Sequence, residues 1–464
     1  MRILLFPVGS SGDVFPFVGL AIRLRERGHD VTVFGNGHFR PLITGRGLSF
    51  VETESAELYE AMQKEADLWH PIRSFKKLLG HPEIPRAIRL QYRLIEERYK
   101  PGDTVVVGGA LAFGPRIARD KFGVPLVTAH LQPCMFKSLE RTAVYGGGAM
   151  KSWWPRWLKN LMFWIGDRWI VDPIIAPVLN AFRTELDLPP ARRILTEWMH
   201  SPDRVIGLFP EWYGPPASDW PPQVRLTGFP LFDAGDGNPL SNEVRKFVDA
   251  GPPPVVATFG SAMRFAAPYF AAVAGALKSL GRRGILLTPY SEQVPADRPP
   301  GVAHFDYVPL GQLLPRAAAL VHHGGIGTAA QGLAAGVPQL VMPLAHDQPD
   351  NADRLKRLGV GRELRPKRFT AALVAKELIA LDTEKVGKAC RVVADRFVGT
   401  DPLAQACEII EAARRGSVPV HQVRSNRASH GRTERTRTVS RVARGRRSTP
   451  AVIRQMICRR DTER

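Results

Sequence analysis

The sequence predicts an α/β protein built from two doubly wound domains. Three observations carry that expectation. An apolar run, Arg2 to Val8, passes through a tight polar turn, Ser10-Ser11-Gly12-Asp13, into an amphipathic helix from Phe15 to Arg27. Gly28 closes the helix, and a second apolar run, Val31 to Phe34, completes a βαβ unit. The same order recurs far downstream, where Ala317 to Val321 reads as a buried strand broken by Gly324-Gly325 and Gly327. A small-residue helix, Thr328 to Ala335, is stopped by Gly336, and a strand from Val337 to Leu344 ends in a polar cluster, His346-Asp347-Gln348 and Asn351. Between the two units, Leu231 to Pro254, with DAGDGNP and GPPP, has the composition of a linker.

The first domain, residues 1–235, adds buried strands at Thr104–Gly108, Pro125–Ala129 and Val205–Phe209, with a helix near Phe113–Lys121. Its first turn lies at the ligand-binding edge, but Gly9 and Gly12 do not complete a dinucleotide GxGxxG. Five of the nine tryptophans fall between Trp153 and Trp169, interleaved with Arg156, Lys159 and Arg168. Two readings fit that stretch: a segment lying at a membrane interface, or aromatics packed onto the domain and lining an apolar tunnel. After a linker at 236–254, the second domain (255–415) opens with Val255–Phe259 ending in Gly260-Ser261. A helix to about Leu280, strands at Gly284–Thr288 and Val302–Tyr307, the glycine-turn unit, and helices after Asp350, after Thr370 and near Leu403–Arg414 follow.

Composition bounds what such a chain does. At 464 residues, 44% apolar and 23% charged, it is of globular type and long enough for two cores. No apolar run reaches the roughly 18–20 residues of a spanning helix, and the N-terminus reads as a strand rather than a secretory leader. Cytoplasmic placement is expected, with peripheral contact at the inner face of a membrane as an option. Four widely spaced cysteines fit no metal site. The net charge of +20 is unevenly spread: Ser417 to Arg464 holds 13 arginines against three acids, a net of +10. That tail, 416–464, lacks hydrophobic periodicity and is expected to be disordered. It is suited to non-specific anion binding, but carries no aromatic residue for base stacking, so no dedicated nucleic-acid role is expected.

The glycine turn after residue 321 carries the most chemistry. Glycines let backbone N–H groups approach an anion, and a helix N-terminus adds partial positive charge. His323 and Thr328 add side-chain donors beside it. The pattern reads as a diphosphate cradle with hydroxyl-reading groups one strand away.

Several stretches together resemble one family. They are GSSGDVFPFVGLA at 9–21, RGHDVTVF at 27–34, TEWMHSPDRVIGLFPEWYGPPASDWP at 196–221, LTGFPLFD at 226–233, YVPLGQLLP at 307–315, and HHGGIGT followed by GVPQLVMPLAHDQPDNA. They are similar to GT-B nucleotide-sugar glycosyltransferases of the bacterial sterol and antibiotic branch, and most of all to the rhamnosyltransferase chain of rhamnolipid synthesis. The resemblance covers roughly residues 1–415 and implies two Rossmann-like domains facing across a cleft.

By that resemblance His323, Gly325, Gly327 and Thr328 hold the donor diphosphate, and Ser261 belongs to a second phosphate-contacting loop. Tyr307 and Val308 pack on the base, and Gln331 stands where plant relatives place a ribose-binding glutamate. Asp347 and Gln348 match the pair that reads donor-sugar hydroxyls. Asp13 matches the catalytic aspartate of antibiotic-transferring relatives, an assignment that competes with simple capping of the following helix. His130, after the strand at 125–129, is the other cleft-side base to consider, and Ser10 lies on the acceptor side. His322 reads as structural. With no paired-carboxylate motif near a donor strand, no metal or other cofactor is expected beyond a UDP- or dTDP-sugar co-substrate. The expected activity is inverting transfer of a hexosyl or deoxyhexosyl group to a lipophilic hydroxyl acceptor: a hydroxy-fatty acid ester, a sterol or hopanoid, or a polyketide. A non-catalytic auxiliary protein of the same fold and a nucleotide-sugar epimerase are the alternatives.

Overall fold

Strands buried on both faces need apolar side chains at every position, and alternate residues then serve different cores. The first strand shows it. In β1 (Arg2–Phe6), Ile3 and Leu5 join one hydrophobic cluster, while Leu4 and Phe6 join another on the opposite face. The computed structural model describes residues 1–70, 73–145, 150, 153–235 and 239–414.

Six more strands continue this sheet: β2 (Asp30–Asn36), β3 (Ser49–Glu54), β4 (Thr104–Gly108), β5 (Leu126–His130), β6 (Arg204–Gly207) and β7 (Val224–Leu226). Their order is β3-β2-β1-β4-β5-β6-β7, with every neighbouring pair parallel. A second sheet contains β8 (Val255–Thr258), β9 (Gly284–Leu287), β10 (Val302–Phe305), β11 (Ala319–His322), β12 (Gln339–Val341) and β13 (Gly361–Glu363). Its order, β10-β9-β8-β11-β12-β13, is again wholly parallel. Each sheet therefore reverses its winding between two central strands, β1/β4 and β8/β11, where such sheets open a crevice. In the second sheet His322 pairs with Thr258, which sets the turns after β8 and β11 side by side.

Several expectations need correction. Strands β3, β7 and β13 lie outside the apolar runs because each is a polar strand at the edge of its sheet (SFVETE, VRL, GRE). The expected linker is largely structured. Ser241 caps a helix at Asn242–Asp249 whose Val244 and Val248 are buried with Val256, Ile285 and Leu320 of the second sheet; residues 236–238 lie outside the described residues.

The last helix, Pro402–Ala412, does not stay with the second sheet, as the 255–415 boundary implied. It crosses back to pack on the helix Ser11–Glu26 and on β4 and β6. Cys407 and Ile410 are fully buried there with Leu24, Val105 and Val205. Glu411 accepts from both Arg27 Nε and Nη2 at 2.7 Å and meets His29 Nε2 at 2.8 Å. The expected disordered tail, 416–464, lies outside the described residues.

Candidate functional site

The turn after β1 holds the expected base. The helix Ser11–Glu26 begins earlier than the hydrophobic pattern suggested, because Ser10 is its N-cap and Asp13 sits in its first turn. The Ser10 backbone N–H donates to Asp13 Oδ2 at 2.9 Å, and the Ser10 hydroxyl donates to the same oxygen at 3.1 Å. This Ser-x-x-Asp arrangement is a capping box. Ser10, expected on the acceptor side, is thus engaged in holding Asp13. Gly9 has φ +135°, and a Cβ there would lie 2.3 Å from Asp13 Oδ2. Both features of Asp13 are present together, since it caps the helix and also faces the second sheet. Burial pushes its carboxyl up to about 6 against two hydrogen bonds from Ser10, and the Asp347 charge opposite adds to the rise.

The turns after β8 and β11 hold the residues expected on the anion side. His323 is 9% exposed, and its Cε1–Nε2 edge sits in a notch between two glycines. A Cβ at Gly260 (φ +91°) would lie 3.0 Å from that edge, and one at Gly325 would lie 2.7 Å from Nε2. Burial first, then the nearby His346, lowers the imidazole to about 4, so at neutral pH the ring is uncharged and keeps one N–H that a bound group can accept from. Gly325 is the N-cap of the helix Ile326–Ala334, which places Gly327 and Thr328 in its first turn with their N–H groups at the open end. His322, fully buried, accepts from Gly324 N–H at Nδ1 (3.1 Å), a structural role. Ser261 is exposed, and its hydroxyl reaches Ser11 Oγ at 3.2 Å across the cleft.

The loop after β12 supplies the polar groups. Asn351, fully buried, donates from Nδ2 to Asp347 Oδ2 (2.7 Å) and to the Gly324 carbonyl (2.9 Å), and accepts from Tyr213 Oη at 2.9 Å. That network joins the Asp347 carboxylate to the glycine turn. Burial raises Asp347 to about 6, while hydrogen bonds from Asn351 and from the Ile326 backbone oppose the rise. Gln348 Oε1 is occupied by the Leu344 and Ala345 N–H groups at 2.8 and 3.2 Å. Its acceptor end is fixed in the loop, and its amide N–H groups are the part left to donate.

The residues expected on the nucleoside side follow β10 and sit on the helix after β11. Tyr307 is 52% exposed, with its hydroxyl accepting from Gly235 N–H at 2.9 Å, while Val308 is buried. Gln331 lies on the helix Ile326–Ala334, its Oε1 beside Gly311.

His130 is placed differently from expectation. It is 1% exposed, bonded through Nε2 to His200 Nδ1 at 2.9 Å, and packed against Phe136. Burial holds it neutral. A base must reach the acceptor proton, and this ring is enclosed within the first domain's aromatic cluster.

Sequence reasoning counted His346 in the polar cluster but gave it no role of its own. It is the middle member of the loop, in the left-handed region at φ +59°. Strain of that kind in a non-glycine residue collects at functional sites. Its Nε2 meets the Leu68 carbonyl at 2.9 Å, which ties the second sheet's loop to the first domain. The positive φ could not be read from the sequence, since no glycine marks it. Further ties close the cleft: Tyr290 Oη donates to Gln63 Oε1 (3.0 Å), and Val144 N–H donates to Asp350 Oδ1 (2.9 Å).

Comparison with known proteins gives matches to both halves of the chain. Residues 3–138 match the glycosyltransferase family 28 N-terminal domain, and residues 285–411 match the erythromycin biosynthesis protein CIII-like C-terminal domain. The chain is 30% identical over 433 residues to the O-mycaminosyltylonolide 6-deoxyallosyltransferase of Streptomyces fradiae, covering 89% of this chain and 97% of that one. It is 25% identical to the sterol 3-beta-glucosyltransferase of Candida albicans, over 84% of this chain and 26% of that protein. Among solved structures, the spinosyn rhamnosyltransferase complexed with thymidine diphosphate superposes with a TM-score of 0.62 at 17% identity, covering 88% of this chain and 99% of that one.

Proposed function

The chain belongs to the glycosyltransferases that join a family 28 N-terminal half to an erythromycin CIII-like C-terminal half, and from that premise we propose its reaction. It moves a hexosyl or deoxyhexosyl group, with inversion and without a metal, from a UDP- or dTDP-sugar to a hydroxyl of a lipophilic acceptor. The observation that carries this is the meeting of the two ligand edges: Ser11, in the turn that holds Asp13, reaches Ser261 Oγ at 3.2 Å across the cleft, and Gly260 beside that serine abuts the His323 ring.

In this reading Asp13 takes the proton of the acceptor hydroxyl as its oxygen attacks the anomeric carbon. The bond from that carbon to the diphosphate oxygen breaks, and the electron pair leaves with the diphosphate. His323, Thr328 and the N–H groups opening the helix Ile326–Ala334 stabilise the leaving charge. These preorganised donors do the work a bound cation does elsewhere. Asp347 accepts from sugar hydroxyls and Gln348 donates to them, while Tyr307, Val308 and Gln331 hold the nucleoside. The thymidine diphosphate bound by the spinosyn rhamnosyltransferase favours testing dTDP-sugars first. Hydroxy-fatty acid esters of the rhamnolipid kind, sterols or hopanoids, and polyketides are the acceptors to screen.

The test has two parts. Titration calorimetry with UDP and dTDP should show binding of one or both, weakened in His323→Ala. A mass-spectrometric screen of UDP-glucose, UDP-galactose and dTDP-rhamnose against a lipid extract should give a glycosylated product. Absence of nucleotide binding, or undiminished transfer by Asp13→Ala, would sink the assignment.

A further inference from the structure

A soluble surface helix buries its apolar stripe and turns its charges outward. The helix Arg156–Ile165 does the reverse. Lys159 points inward, 2% exposed, with its ammonium donating to the Leu139 carbonyl at 3.0 Å. Phe163 is the buried aromatic, lying edge-on to Tyr145 and beneath Lys137 Nζ. The outward face carries Trp157 (68% exposed), Leu161 and Trp164, spaced i, i+4, i+7. Trp153 (78%) extends it at one end, and Trp169 (64%) and Ile170 extend it at the other. Packing onto the domain, part of one of the two readings of this stretch, is therefore not what four of the five indoles do, Trp154 alone being half-buried.

The charge distribution on this face is one-sided. Asp167 is the sole acid between residues 153 and 171; it is 3% exposed and accepts from Thr196 Oγ1 at 2.8 Å. Arg156 and Arg168 are exposed, and Arg168 lies over the Trp169 ring with its guanidinium carbon 5.0 Å from the centroid. The segment thus exposes indoles, aliphatic side chains and the Arg168 guanidinium; Arg156 is paired with the Glu140 carboxylate at 3.3 Å, so the net charge of the face stays positive through Arg168. Aromatic rings that carry a polar edge, with arginines able to reach past them, match the boundary between headgroups and acyl chains. No helix among the described residues is long and apolar enough to cross a membrane, so contact would be confined to one leaflet.

We propose that the outward face of residues 153–170 docks the protein on a lipid surface bearing anionic headgroups. Phe163 packs on Tyr145, and the neighbouring Val144 is bonded to Asp350 beside the sugar loop, so the docked helix is tied through its buried side to the rim of the cleft. The docking stands or falls independently of which acceptor is glycosylated.

The full-length chain and its Trp157→Glu/Trp164→Glu variant should be floated with phosphatidylcholine vesicles, with and without phosphatidylglycerol. Measurements at about 0.5 M salt suppress simple attraction by the basic tail. The parent should float with the anionic vesicles, with its indole emission shifted to the blue and quenched by brominated lipid. The variant should partition roughly a hundredfold more weakly, about tenfold per indole, while keeping its affinity for dTDP or UDP. Equal flotation of parent and variant, or unquenched indole emission in the vesicle-bound parent, would overturn the proposal. So would a parent that fails to float and is a dimer which the variant breaks, since a second copy would then be what covers this face.

Discussion

The two sheets begin their ligand edges with the same dipeptide and use it oppositely. After β1 comes Gly9-Ser10, and after β8 comes Gly260-Ser261, each glycine in the left-handed half of backbone space. In the first turn the helix starts at once, Ser10 becomes its cap, and the missing Cβ makes room for the Asp13 carboxyl. In the second, the helix waits until Ala267, Ser261 is exposed, and the missing Cβ makes room for the His323 ring from the neighbouring strand. One turn therefore presents an anion and the other presents donors for an anion. The delay of a few residues before the helix decides which chemistry a shared topology displays, and a fold alone does not state it.

The strongest way to break this comparison is to neutralise the anion. Asp13→Asn keeps an oxygen to accept from the Ser10 N–H but cannot take a proton, so transfer should fall by about 10²–10⁴ with nucleotide affinity unchanged. The parent's kcat/KM should rise with pH through a limb centred near 6, where Asp13 and Asp347 both titrate. Stability should move the other way. A carboxyl raised from 3.8 to about 6 keeps its proton in the folded state after the unfolded chain has lost its own, so stability falls as pH climbs through that window. Asp13→Asn should therefore melt higher than the parent above pH 6, with the gap closing below about pH 4. A variant that melts lower at pH 7.5 would show that the carboxylate is structural.

A second pair of variants tests whether the turns are chemically separate. Gly260→Ala strains a φ of +91° and presses a methyl on the His323 ring. With about 1–2 kcal/mol at stake, dTDP or UDP affinity should drop roughly tenfold. Gly9→Ala forces Asp13 aside and should remove transfer at normal nucleotide affinity. Equal loss of nucleotide binding in both, by calorimetry, would mean the cleft responds as one unit and the comparison fails.

The parts of the molecule legible in the sequence were those with strong local chemistry. Buried strands such as TVVVG and the turn HHGGIGT announce themselves by apolar runs and glycines, and so did the helix that starts after Gly325. What escaped depends on distant partners. Helix Pro402–Ala412 has an ordinary amphipathic pattern, and nothing in it says that Cys407 and Ile410 pack on the first sheet rather than the second. His130 follows a buried strand as a cleft residue would, but the ring that claims it, His200, lies 70 residues away. Asn351 reads as one more polar residue, until Tyr213 and Gly324 are seen to fix it beneath Asp347. His346 was hidden for a different reason, since its left-handed backbone is imposed by its surroundings and not by its own residue type.

The smallest effects sharpen the comparison most, because they remove a single hydroxyl from each of the two matched serines. Ser10→Ala takes away a helix cap and one bond to Asp13, worth about 1 kcal/mol of stability, and should lower the melting temperature without touching nucleotide affinity. Ser261→Ala removes a hydroxyl that helps hold no helix and whose partner, Ser11 Oγ, lies across the cleft at 3.2 Å. Its melting temperature should hold, while dTDP or UDP binding weakens by the net value of one hydrogen bond, about 0.5–1.5 kcal/mol, or roughly two- to tenfold. The two readouts should therefore cross over between the variants. If Ser261→Ala lowers the melting temperature as Ser10→Ala does, the second serine is also a structural group, and the exposed turn after β8 owes its role to its backbone alone.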